Sequence, residues 1–92
     1  MNLTNFDETM KPFFDKLEID PIPLEYNENL NKFISTESFV EDDESAEEYF
    51  IVIKMTGNAG TVVIGYADGP KFIETETLGQ IMFDKDKWVS LL

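Results

Sequence analysis

The sequence predicts an α+β domain: two N-terminal helices packed on a four-stranded antiparallel meander, with a short helix at the C-terminus. Three observations carry that prediction. Apolar residues recur at helical spacing from Leu3 to Leu17. After an acidic run the period changes to two, in β-branched and aromatic stretches. Turns containing glycine then separate those stretches. The chain of 92 residues is read as one domain, 1–92, because independent domains run from roughly 50 to 250 residues.

Each element has its own warrant. Leu3, Phe6, Met10, Phe13, Phe14 and Leu17 form one apolar stripe of a first helix. Asn5 can cap it, with Glu8 three residues on as the capping-box partner. Pro12 lies inside the pattern and removes a backbone donor, so a kink or break is expected near Glu8–Lys11. Pro21 and Pro23 force an extended connection. A second, shorter helix is expected from about Asn27, with Tyr26, Leu30, Phe33 and Ile34 on one side.

Tyr49 to Thr56 reads as the clearest strand, and Gly57-Asn58-Ala59-Gly60 turns it back into Thr61–Ala67. Asp68-Gly69-Pro70 makes the next turn, before Lys71–Thr77. Leu78-Gly79 separates that run from Gln80–Phe83. Asp84 can cap a last helical turn or two that returns Trp88, Leu91 and Leu92 to the sheet.

Composition excludes several functions. There are 19 Asp plus Glu, seven Lys, and no Arg, His or Cys, for a net charge of −12. That charge repels nucleic acid, nucleotides and anionic membranes, and no arginine is present to clamp a phosphate. Without Cys there is no thiol nucleophile or zinc knuckle, and without His the usual general base is missing. No cofactor and no metal are expected, and no catalytic residue is assigned. Twelve aromatic residues argue against a disordered acidic chain. Met1 to Thr4 shows no secretory pattern, and no apolar stretch nears the roughly 20 residues of a membrane span. The expected location is the cytoplasm.

The charge is uneven. Residues 1–48 hold 14 acids and three Lys, whereas residues 49–92 hold five acids and four Lys. Glu37, Glu41, Asp42, Asp43, Glu44, Glu47 and Glu48 all lie between Lys32 and Lys54, where no basic residue occurs. Such a run is as often a solvated loop as a docking surface. As a surface, it would meet a basic partner. Glu74 and Glu76 add two carboxylates that an extended strand would present on one face, about 6.6 Å apart.

Other constellations have ordinary readings. Glu74 and Glu76 could form the carboxylate pair of a glycosidase, but no loops are available to enclose a sugar. Asp42–Glu48 lacks the glycine-centred alternation of a calcium loop. Glu8, Lys11 and Asp15 read as surface pairing on a helix. Asp84, Asp86 and Trp88 could form a contact patch, although a lone Trp is more often core.

In length, acidity, lack of Cys and element pattern, the chain resembles the small phage inhibitors of host DNA-binding enzymes. These include DNA-mimicking anti-restriction proteins such as Arn, and uracil-glycosylase inhibitors. The segment Phe39-Val40-Glu41-Asp42-Asp43-Glu44 carries the resemblance best. It implies carboxylates standing where backbone phosphates would lie in a groove lined by Lys and Arg.

Two functions follow as expectations. The first is an inhibitor of a restriction nuclease or other basic DNA-binding protein, or its variant, an immunity protein that neutralises a toxin nuclease. The partner-binding residues would be Glu37, Glu41, Asp42, Asp43, Glu44, Glu47, Glu48, Glu74 and Glu76. The second is a non-inhibitory assembly module that uses a sheet edge, with the acids serving solubility. Apolar strand residues also point to a homodimer, and an enzyme is not expected.

Overall fold

The amphipathic stripe at the N-terminus does form a helix, but the rest of the fold is almost all sheet. The computed structural model describes residues 2–41 and 47–91. Among them are one helix, α1 (Phe6–Leu17), and six strands. These are β1 (Leu24–Asn27), β2 (Lys32–Ser35), β3 (Phe50–Thr56), β4 (Ala59–Asp68), β5 (Lys71–Asp84) and β6 (Lys87–Ser90). Each strand pairs antiparallel with the next, in the order β1-β2-β3-β4-β5-β6. The expected α+β arrangement, with two N-terminal helices, four strands and a C-terminal helix, is therefore corrected to one helix on a six-stranded meander.

Helix α1 buries Phe6, Thr9, Met10, Phe13 and Phe14. The expected capping box is absent: Asn5 has φ 62° and makes no side-chain cap. The entry is shaped instead by Asn2, whose Oδ1 accepts from the Thr4 backbone N–H at 2.9 Å and from Thr4 Oγ1 at 2.6 Å. Nor does Pro12 break the helix, which runs on to Leu17. Both Pro12 and Glu8 are exposed, so the carbonyl left without its usual donor can turn to water.

The segment expected as a second helix is the β1–β2 hairpin. Asn27, Asn29 and Asn31 supply turn chemistry there: Asn27 Oδ1 accepts from the Leu30 N–H at 3.1 Å, and Asn31 takes φ 53°. The segment expected as a C-terminal helix is another hairpin, in which Asp84 pairs with Lys87. Its two loop residues, Lys85 and Asp86, both have positive φ, at 50° and 69°, as a type I′ turn requires. The expected break at Leu78-Gly79 is also absent. There β5 continues and absorbs one extra residue at Leu78 and another at Thr75, opposite register shifts in β4.

The sheet curls tightly. Four strand spacings separate β2 from β6, about 19 Å in a flat sheet. Yet the rings of Phe33 on β2 and Trp88 on β6 lie only 5.8 Å apart. Phe6 fills the space between them, stacked on Phe33 at 4.7 Å and edge-on to Trp88 at 5.4 Å. This aromatic wedge joins Met10, Phe13, Ile51, Ile53, Val62, Ile64 and Ile81 in one core on the inner face. Trp88 is thus core, and its Nε1–H donates to the Asn2 carbonyl at 2.9 Å rather than facing a contact patch.

Candidate functional site

Every Asp and Glu among the described residues is solvent-exposed. Lys54 Nζ lies 2.8 Å from Glu74 Oε1. The expected pairing of Lys11 with Glu8 and Asp15 does not form among the described residues. The described acids of residues 1–48 therefore present their carboxylates to water.

The acidic run is anchored by aromatic residues. Phe39 and Tyr49 exchange both backbone hydrogen bonds, at 2.9 and 2.8 Å, and their rings lie 6.1 Å apart. Tyr49 in turn meets Tyr66 edge-on at 6.2 Å. Phe39 and Tyr49 are thus held side by side at the two ends of this acidic stretch of sequence. Glu37, Glu41, Glu47 and Glu48, close to these two residues in the chain, are exposed. Asp42, Asp43 and Glu44, also expected at the site, lie outside the described residues, as does most of the calcium-loop candidate Asp42–Glu48.

The two strand carboxylates do not share a face. Glu74 pairs with Gly65 and Glu76 with Ile64, neighbours on β4 that point to opposite sides, because Thr75 is the bulged residue between them. Glu74 consequently stands on the outer face with Lys54, whereas Glu76 lies on the helix side. A pair so placed cannot flank one glycosidic bond. Glu76 instead joins Glu41, Lys16, Leu17 and Leu78 around a surface pocket of about 250 Å³. Lys16 Nζ donates there to the Leu78 carbonyl at 3.4 Å. The structure thus brings one member of the acidic run beside one strand carboxylate and separates the other.

Two apolar features lie apart from the expected partner-binding residues. A groove of about 410 Å³ runs between α1 and Pro21–Leu24, floored by Phe6, Met10, Phe14 and Ile22 with Asp7 and Glu8 beside it. A second, of about 240 Å³, lies on the outer face of the sheet between Leu30, Ile34, Phe50, Val52 and Phe72. The signal for the second was present in the sequence. Phe50-Ile51-Val52-Ile53 and Val62-Val63-Ile64 are continuous apolar runs, which mean a strand apolar on both faces.

No helix is long and apolar enough to cross a membrane among the described residues. No protein-family model, curated protein or solved structure matches this chain.

Proposed function

We propose that this protein is an acidic inhibitor that occupies the basic nucleic-acid groove of a restriction nuclease or another DNA-binding protein in place of DNA. The observation that carries the reading is the exposure of every described carboxylate on a chain of net charge −12. The dimensions are compatible with it. Duplex DNA carries about one charge per 1.7 Å, or roughly 25 along the 43 Å long axis of the molecule, and this chain carries 19 carboxylates. With its seven Lys counted, the net charge of −12 is about half that of the same length of DNA.

In this reading the protein is not an enzyme and acts in the cytoplasm. Its field steers a basic partner, and carboxylates around Glu37, Glu41, Glu47 and Glu48 then accept charge-assisted hydrogen bonds from Lys and Arg. The immunity-type variant has its own support in the groove beside Pro21–Leu24. That groove offers an apolar anchor site next to Asp7 and Glu8, and hot spots are built from such pockets.

The test is capture of basic proteins from a bacterial lysate by the immobilised chain, at low and at physiological salt. Retention of a DNA-binding protein that falls steeply with salt, and that duplex DNA competes away, is the expected result. Neutralising Glu37, Glu41, Asp42, Asp43, Glu44, Glu47 and Glu48 to Gln or Asn should then weaken the captured complex by about 100-fold. Retention that ignores both salt and DNA would overturn the mimic reading.

A further inference from the structure

We infer that the outer face of the sheet is a self-association surface, through which two copies of this chain pack against each other. Strand register assigns the side chains. Phe33, Ile51, Ile53, Val62 and Ile64 face inward to α1, so their neighbours along each strand face outward. Val52 and Val63, directly paired, are 4% and 0% exposed although no helix among the described residues covers that side. Ile34, Phe50 and Phe72 close over them, and Leu30 stands beside the groove at 55% exposure.

Charge selects the occupant. The register turns Glu25, Glu74 and Asp84 outward together with Lys32, Lys54 and Lys87. The outer face is therefore neutral, and the rest of the chain carries the whole −12. A basic partner is drawn to the carboxylate-rich surfaces and gains nothing from this side. A second copy, which carries the same net −12, meets balanced charges on this face. A two-fold pairing brings the same patch together twice, so a face with balanced charges can complement itself. The projecting Leu30 of each copy is a suitable side chain for the other copy's groove.

Edge-to-edge growth of the sheet is less well provided for. The Trp88 N–H on β6 donates to the Thr4 carbonyl at 3.1 Å, so the N-terminal segment lies along that edge. At the other edge β1 is only four residues long.

The experiment is sedimentation equilibrium of the full chain over a range of concentrations, at ionic strengths of about 0.01 and 0.15 M. The expected species is twice the 10.6 kDa chain, and the dimer should tighten as salt screens the net charge. Leu30→Glu, at an exposed turn position, and Phe72→Asp should each raise the dissociation constant by about 100-fold, with the circular dichroism spectrum unchanged for Leu30→Glu. A monomer at every concentration and both salts overturns the inference. So does a dimer that Leu30→Glu leaves intact. The salt responses keep this surface distinct from the inhibitor reading, because partner capture must weaken with salt while dimerisation strengthens. A monomer that still captures a basic protein would sink only the dimer.

Discussion

On the inner face of the sheet, Phe33, Ile51, Ile53, Val62, Ile64 and Trp88 meet α1 and leave almost nothing exposed. On the outer face, the intervening residues of the same strands leave Ile34, Phe50 and Phe72 half-buried around an open groove. One chain thus carries a finished apolar surface and an unfinished one, back to back. The difference begins in the sequence of β3, where Ile51, Ile53 and Met55 face inward while Phe50 and Val52 share the outer side with Lys54 and Thr56, and it is completed by what covers each side. The inner side is sealed by a helix whose first turn places Phe6 between β2 and the edge strand β6, four strands apart in the sheet. Among the described residues, the outer side has only its own side chains for cover.

The largest effect should come from the inner face. Trp88→Ala removes the ring that meets Phe6, Phe33 and Phe83, together with the Nε1–H bond to Asn2. Truncations of this kind cost about 3–5 kcal/mol, a large share of the roughly 5–15 kcal/mol that holds a domain folded. Denaturant unfolding followed by tryptophan-independent circular dichroism measures it. Equal losses from Trp88→Ala and from the same truncation at Phe72 would mean that the two faces are packed alike, and the contrast would fail.

Gly65→Ala probes the outer face where it has no room. An added Cβ would lie 2.2 Å from the Ile73 carbonyl oxygen and 2.7 Å from Phe72 Cζ, and the first of these is backbone. Gly65 pairs with Glu74, next to the bulged Thr75. Overpacking typically costs about 1–3 kcal/mol, and the upper end is expected because the backbone must move. A neutral Gly65→Ala in the same unfolding assay would show that β5 can slip its register freely.

These two faces also explain what the sequence made legible. The stripe of α1 and the runs of β3 and β4 were readable because long periodic segments reflect burial directly. The β1–β2 hairpin was not. Tyr26, Leu30, Phe33 and Ile34 match helical spacing, but Tyr26 and Phe33 point inward from paired strands and Leu30 sits in the turn. Three asparagines in five residues were the local signal for that turn. At the C-terminus, Asp84-Lys85-Asp86-Lys87 has no glycine, yet both loop residues adopt the left-handed conformation that favours it. Tertiary pairing of β5 with β6 overrides local preference there. The exposure of the acids followed from composition, whereas the separation of Glu74 from Glu76 depended on a single bulged residue with no local signature.

The smallest expected effect is at the Lys54–Glu74 pair, and it discriminates best between a bare and a covered outer face. Both side chains are 41% exposed, so in an isolated chain their attraction is screened by water and salt. A double-mutant cycle of Lys54→Met and Glu74→Gln should give a coupling of roughly 0.2–1 kcal/mol at low salt, falling towards the lower end at physiological salt. Run at protein concentrations below and above self-association, the same cycle becomes a probe of burial. Packing a second copy over the pair removes water from both charges, which raises their coupling and blunts its response to salt. A coupling that stays small and salt-sensitive at every concentration would mean that the outer face remains open to solvent.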